Sequence, residues 1–247
     1  MARRAVGSNQ YKTLRVAADI SVPSDDLMVQ ADNAREPNLH QRLTLASDPN
    51  TSAQVLAKLA TDPHYRVREM VAKNPNCPPQ VLAKLAQDDT TEVVLEVAGN
   101  PNTPPHVLGR LAHDEDTAVK IRVARHPRAP AQSWRHLAQD RSARGHHVRR
   151  AVAQRTDISS GLRDQLAQDE HWAVRKALAL NSKTSWVQIA HLVHDDNWQV
   201  REAVASHRDA TPQVLLDMMQ DPTAAVRQAA GRHPNLPEEY RVLRSLT

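Results

Sequence analysis

The residues best suited to binding chemistry lie in one central stretch of the chain. Residues 120–155 contain ten lysine and arginine side chains but one acidic residue, Asp140, within a formal net charge of +4 for the whole protein. Guanidinium groups form strong bidentate contacts with carboxylates and phosphates, so this asymmetry predicts a surface for an anionic partner. The candidate contacts are Lys120, Arg122, Arg125, Arg128, Arg141, Arg144, His146, His147, Arg149, Arg150 and Lys176.

Three aromatic residues could add stacking to these cations. Tyr65, Trp172 and Trp198 each stand three residues before an arginine. Rings beside cations form stacking platforms for bases in single-strand binders. The same rings could instead pack over a helix start or against an arginine stem. Both interpretations stay open at the level of the sequence.

Patterns for catalysis, metals or cofactors are weak. His191 and His194 have helical spacing and precede Asp195, but the sequence offers no evident fourth metal ligand. The single cysteine, Cys77, excludes a Cys-only metal or iron–sulfur site within one chain, and the six glycines form no phosphate-binding loop or dinucleotide fingerprint. We therefore expect no catalytic residue, no metal, no cofactor and no small-molecule substrate.

A 26-residue repeat supplies the elements that must position these side chains. Seven units span 48–232, and the fourth has three extra residues within the basic segment 141–147. Each unit opens on a turn, and in several units proline follows, as at Pro104-Pro105. Proline can open a helix because the first helical N–H needs no partner. Apolar residues then recur at helical spacing in both halves, which predicts two short helices per unit.

The aligned units also share columns of residues. In the second helix, Val67, Val71 and Ala72 begin three small apolar columns, and neither helix can bury its stripe alone, so the units must stack. An arginine column that includes Arg68 is expected to pair with the acidic residue six positions earlier. The acidic column is suited to accept hydrogen bonds at the start of the second helix. Its members are Asp62, Asp88, Asp114, Asp140, Asp169, Asp195 and Asp221.

The pattern Asn-Pro-Asn-Thr-Pro-Pro…Val-Leu…Leu-Ala…Asp…Val-Arg…Val-Ala resembles the leucine-rich repeat variant family over about 48–232. Its second half, as in Asp195…Val200-Arg201, also resembles HEAT repeats. The resemblance implies alternating α- and 3₁₀-helices in a right-handed superhelix, with binding commonly on a concave surface. One member of the first family holds an N-terminal iron–sulfur cluster through clustered cysteines. No cysteine precedes Cys77 here, so that cofactor is not expected.

We therefore expect an all-α, right-handed superhelical solenoid of about seven two-helix repeats with partial capping repeats. Residues 1–35 are expected to form an N-terminal segment and degenerate cap, and residues 36–247 the solenoid. Aromatic residues are 3% of the chain and phenylalanine is missing, a composition that suits closely packed helices. No apolar run reaches the length of a membrane span.

The predicted function is non-catalytic binding. We expect a bacterial, cytoplasmic scaffold whose basic residues 120–155 receive an anionic partner, with an acidic protein segment favoured. Nucleic acid is the alternative partner, since phosphates would suit the same arginines. A HEAT-like alkylpurine DNA glycosylase is the third alternative. Its catalytic side chains would come from Trp172, Trp198, Asp169 and Asp195.

Overall fold

The computed structural model describes residues 38–242, and within that range every regular element is a helix. The second helix of each unit has an odd number here: α1 (Leu39–Ser47), α3 (Tyr65–Lys73), α5 (Thr91–Gly99), α7 (Thr117–Arg125), α9 (Gly145–Ala153), α11 (Trp172–Ala179), α13 (Trp198–Ala205) and α15 (Ala224–Gly231). The first helices have even numbers: α2 (Ala53–Leu59), α4 (Pro79–Leu85), α6 (Pro105–Leu111), α8 (Ala131–Leu137), α10 (Ser160–Ala167), α12 (Trp186–Ile189), α14 (Pro212–Met218) and α16 (Glu238–Val242). The expected N-terminal segment 1–35 lies outside the described residues.

Most first helices are α-helical, which corrects the alternation with 3₁₀-helices that the family resemblance implied. In α2, the N–H of Leu56 bonds to Ser52 and that of Ala60 to Leu56, at 3.0 and 2.9 Å, which is α-helical spacing. Bonds of the 3₁₀ type appear where α2 ends, as from Asp62 N–H to the Leu59 carbonyl. A longer 3₁₀-helix follows α12 at Ala190–His194.

The core confirms the predicted apolar columns. Val67, Val71 and Ala72 of α3 have no exposed surface, and the equivalent valines and alanines of later units are buried as well. Neighbouring second helices pack side by side along the array and contact one another more extensively than neighbouring first helices do. We call the solvent-facing side of the row of second helices the inner face.

One ladder of hydrogen bonds joins the turns that open successive units. The Asn74 amide donates to the carbonyls of Ala46 and Asp48, both at 2.9 Å, and Asn100 and Asn181 repeat this contact one and four units later. These side chains are buried, so the bonds satisfy backbone groups that water cannot reach. Histidine fills the position at His126, His207 and His233, and Arg155 fills it in the fifth unit.

A second ladder joins the starts of the second helices, and its pairing differs from the expected one. Arg68 donates through Nε and Nη2 to the carboxylate of Asp88, twenty residues later, at 2.6 and 2.9 Å. Its contact with Asp62, six residues earlier, is to the backbone carbonyl at 2.9 Å. The Asp62 carboxylate is already occupied, because it accepts from Arg42 of the preceding unit and from the His64 N–H. We call this the Arg–Asp ladder.

The acidic column behaves as predicted at the start of each second helix. The seven carboxylates each accept the N–H two residues later, at 2.7 to 3.0 Å, so each ends the first half of its unit in the same turn. These bonds and the adjacent guanidinium hold the pKa of Asp88 and Asp221 below the usual range.

The turn ladder predicts a pH-dependent stability that one substitution removes. His126 donates from Nε2 to the Asn100 carbonyl at 2.9 Å and accepts the Arg128 N–H at Nδ1, so it must stay neutral. Burial lowers its pKa below the ordinary value near 6.5, so its stabilisation is present above that value and is lost as the pH falls through the lowered pKa. His126→Asn, the residue found at Asn74 and Asn100, keeps both bonds without a titratable group.

We therefore expect His126→Asn to lose less stability than the wild type between about pH 8 and about pH 5. Urea unfolding of both proteins at the two pH values measures the difference. An identical shift of the unfolding midpoint in both proteins would show that His126 does not contribute to the pH dependence.

Candidate binding surface

The three-residue insertion forms a closed loop before α9. The Ser142 N–H bonds to the Asp140 carboxylate, and the Gly145 N–H bonds to the Ser142 carbonyl, both at 2.8 Å. A side chain at Gly145 would overlap the Asp140 carbonyl, so this close approach requires glycine. The loop leaves Arg141 and Arg144 exposed, which agrees with their predicted place on the surface.

Arg149 is not part of that surface, which corrects the sequence-based assignment. Its side chain is 2% exposed, and it donates to both oxygens of Asp169 at 2.7 and 2.9 Å. Its Nη1 reaches the Asp140 carbonyl at 2.6 Å. The Asp169 hydrogen bond raises the pKa of the guanidinium. Arg149 therefore belongs to the Arg–Asp ladder and joins α9 to the next unit.

Lys120 has the same structural role one unit earlier. Its Nζ lies 2.6 Å from the Asp140 carboxylate, and both side chains are largely shielded from solvent. Arg128 is exposed, but it lies on the edge formed by the unit-opening turns, where it donates to the Pro101 carbonyl at 3.2 Å. Neither residue is brought to the inner face.

Four of the predicted contacts do share the inner face. Arg122 reaches Glu96 of α5 at 3.5 Å, and Lys176 reaches Glu202 of α13 at 3.7 Å, so both side chains lie across the row of second helices. Arg125 lies one helical turn after Arg122 on α7, and Arg150 has the repeat position of Lys176 on α9. We call Arg122, Arg125, Arg150 and Lys176 the inner cation cluster.

Within residues 38–242, Arg125, Arg144 and Arg150 form no ion pair with a carboxylate, so their charge is available to a partner. Arg141 is compensated by Glu170 at 2.9 Å, although both side chains are exposed. A cleft of about 320 Å³ lies beside Arg125, and its lining also includes Gln154 and the ion pair between Arg155 and Asp157 at 2.6 Å.

The structure joins the insertion to one of the predicted aromatic residues. The His146 ring lies 4.0 Å from that of His147 and 4.0 Å from that of His171, and the His171 ring is stacked 5.8 Å from Trp172. We call these four side chains the ring row. His171 was missed in the sequence, although its place between Glu170 and Trp172 at a helix start was a usable signal. Its Nδ1 accepts the Ala173 N–H at 3.2 Å, which leaves the ring proton on Nε2.

The three predicted stacking residues do not form one platform. Tyr65 begins α3, Trp172 begins α11 and Trp198 begins α13, so three second helices separate the first from the second. Tyr65 is stacked on its own N-cap residue, His64, at 5.5 Å. Tyr65 and Trp198 are exposed at the starts of their helices, and of the three rings Trp172 is the one continuous with the central cations.

The surroundings of His146 and His147 favour the neutral imidazoles in the free protein. Burial, followed by His171, Arg149 and Arg150, lowers the pKa of His146. Burial, followed by His146, Arg150 and Arg144, lowers the pKa of His147. Burial and the arginines beside both rings therefore oppose a further proton until an anion arrives.

The described residues contain no cluster of histidine, cysteine, aspartate or glutamate suited to a metal ion. His191 lies in the 3₁₀-helix with its Nε2 3.3 Å from the Ala167 carbonyl. Cys77 is fully buried, and burial raises the pKa of its thiol to about 12, so it is not a nucleophile at neutral pH. Among residues 38–242, no helix combines the length and apolarity needed to cross a membrane.

Stacked two-helix units with two ladders define an all-α repeat solenoid, as predicted. The family model of the leucine-rich repeat variant domain matches residues 40–96, and the family model of the leucine-rich repeat variant matches residues 91–116. A solved structure described as "a leucine-rich repeat variant with a novel repetitive protein structural motif" is 27% identical, with a TM-score of 0.62 over 78% of this chain and 80% of that chain. No curated protein matches. The resemblance to the leucine-rich repeat variant family is thereby confirmed.

The difference between ladder and surface arginines can be tested by replacing one arginine of each kind with methionine and comparing the stability of the two variants. Arg149→Met leaves the Asp169 carboxylate buried without its partner and is expected to lower the free energy of unfolding by about 3 kcal/mol. Arg144→Met, in the same segment but exposed, is expected to change it by less than about 0.5 kcal/mol. Urea unfolding followed by circular dichroism measures both, and similar losses in the two variants would contradict the assignment.

Proposed function

We propose that this protein is a non-catalytic scaffold whose inner face binds an acidic segment of a partner protein over α7, α9 and α11. The repeat fold supports a binding scaffold in general, because stacked units present a long continuous surface. The observation that carries the proposal is the inner cation cluster, in which Arg125 and Arg150 have no ion-pair partner among the described residues.

The cleft beside Arg125 supports the same placement. The Asp157 carboxylate in its lining is already paired with Arg155 at 2.6 Å, so Arg125 is the cation of this cleft that a carboxylate of a bound segment could reach. Charge-assisted hydrogen bonds between guanidinium and carboxylate are stronger than neutral ones. The segment would therefore be held by arginines that the Arg–Asp ladder does not use.

The glutamates among the cations favour a protein over a nucleic-acid backbone. Glu96 and Glu202 lie within 3.5 and 3.7 Å of Arg122 and Lys176, and Glu170 lies 2.9 Å from Arg141. These glutamates separate the cations into isolated positive groups, whereas a nucleic-acid strand presents a negatively charged phosphate at every nucleotide. An acidic protein segment can place its carboxylates between these glutamates.

Nucleic acid remains the second candidate because of the ring row. His146, His171 and Trp172 form a continuous stack beside Arg144 and Arg150, and such stacks can receive unpaired bases. The base would compete with the existing ring–ring contacts.

The glycosylase alternative receives less support. Asp169 and Asp195, which would supply its acid, are each 4% exposed, and each accepts hydrogen bonds from Nε and Nη2 of a ladder arginine. A carboxylate held in this way is not free to act on a base. Trp172 and Trp198 begin two separate helices.

The proposal is tested by removing charge at the cluster and at matched positions elsewhere. The cluster variant combines Arg122→Gln, Arg125→Gln and Arg150→Gln. The control combines Lys73→Gln and Arg232→Gln, which have the repeat position of Arg125 and are exposed in outer units. Binding of a labelled twelve-residue oligo-aspartate peptide is followed by fluorescence anisotropy.

We expect the cluster variant to bind the peptide at least about tenfold more weakly and the control to bind within about twofold of the wild type. Single- and double-stranded DNA and RNA are titrated alongside at about 50 to 300 mM salt. Tighter binding of a nucleic acid than of the peptide, with a steep salt slope, would favour the second candidate. Equal peptide affinity in the wild type and the cluster variant would contradict the proposal.

A further inference from the structure

The ring row meets the inner face at α9. His147 and Arg150 are three residues apart on this helix, so they lie on the same side of it. The His146 ring lies between the rings of His147 and His171, and its centroid is 4.0 Å from each of theirs. The imidazoles therefore continue the surface of the inner cation cluster toward the insertion.

We propose that His146 and His147 form a proton-linked contact for carboxylates of the bound partner, so that the protein binds its acidic partner more tightly as the pH falls below neutrality. This inference rests on the proposed function and concerns the regulation of the same surface. It assigns to the histidines a role that the arginines, which keep their charge at every physiological pH, cannot have.

The two imidazoles have free hydrogen-bonding capacity. Both rings are half-buried, and neither forms a hydrogen bond with another of the residues 38–242. By contrast, His126 and His207 use both ring nitrogens within the turn ladder. Unlike these ladder histidines, His146 and His147 can gain a proton and donate to a ligand without breaking a bond that holds the fold.

The charges that face the two rings come from three elements. Arg149 and Arg150 lie on α9 itself, Arg144 lies in the insertion, and His171 and Asp169 face His146 from the start of α11. The nearby carboxylates already have partners. Those pairs are Lys120–Asp140, Arg149–Asp169 and Arg141–Glu170. The net charge around the two rings is therefore positive. A carboxylate of a bound partner would be the one negative group there that is not already paired within the protein.

The positive charge around His146 and His147 sets the direction of the pH effect. In the free protein, burial and then neighbouring cationic and imidazole groups hold the pKa of both histidines below the ordinary value, so both are neutral at pH 7. A bound carboxylate stabilises the imidazolium and raises the pKa in the complex. Binding then takes up protons, and affinity rises as the pH falls through the pKa of the complex. Well above that pKa the affinity does not depend on these groups.

A second pair of histidines offers a matched control. The rings of His113 and His136 are 3.9 Å apart, as close as those of the ring row, and burial followed by His113 lowers the pKa of His136. The charged groups that face His136 are Asp140 and Lys120, which pair with each other. His136 lies on the first helix α8 and His113 follows the first helix α6, away from the row of second helices, so this pair should not respond to an acidic partner bound at the inner face.

The experiment measures affinity for the rhodamine-labelled oligo-aspartate peptide at constant ionic strength between about pH 5.5 and pH 8. Three forms of the full chain are compared: the wild type, the double variant His146→Asn and His147→Gln, and the control double variant His113→Gln and His136→Gln. Circular dichroism at each pH reports the fold, since His126 is expected to make stability itself pH-dependent. Isothermal titration calorimetry in buffers of different ionisation enthalpy counts the protons taken up.

The wild type is expected to gain up to about tenfold in affinity per pH unit for one proton taken up, and the control to gain the same amount. The His146/His147 variant is expected to bind like the wild type at pH 8 and to show no gain at pH 6. Equal wild-type affinity at pH 6 and pH 8 would overturn the inference but leave the proposed function standing. A gain retained in the His146/His147 variant would also overturn the inference. No binding of the peptide at any pH would overturn both proposals.

Discussion

The carboxylate that begins each second helix is the contact on which the rest of this structure depends. It accepts a backbone N–H in its own unit and, in most units, a guanidinium from the preceding one, as Asp88 does from Thr90 and Arg68. One side chain thus ends a helix, begins the next and sets the distance between two units. Because these groups are shielded from water, leaving one partner unmatched is costly, and the same pairing recurs along the array.

The ladder is modified in the middle of the chain, where the candidate binding surface lies. Val94 replaces arginine on α5, and Lys120 replaces it on α7. In the next unit the inserted loop is closed by bonds to Asp140, and Arg149 restores the bidentate pair with Asp169. The insertion thereby adds exposed cations to the array without interrupting the contact that holds neighbouring units together.

Two adjacent arginines show how one residue type serves two purposes here. Arg149 points toward the next unit and is buried in an ion pair, whereas Arg150, one residue further around the helix, faces the inner side. A rotation of about 100° per residue is enough to separate structural from available charge. The net charge of the segment therefore overstates the charge that a partner meets.

The period of 26 residues and the columns of valine and alanine determined the fold class, the helix pairs and the core from the sequence alone, since stripes such as Val67 and Val71 can be buried only by stacking. The sequence also determined the basic centre and the helix-start carboxylates.

Only the tertiary structure decided that Arg68 pairs with Asp88 rather than Asp62, that Arg149 is buried, and that His146, His171 and Trp172 form one row. Apart from the adjacent pair His171 and Trp172, these contacts join residues about 20 to 30 positions apart, as the ladder pairs show. Their partners depend on which way each side chain points toward the neighbouring unit, a direction that periodicity does not specify.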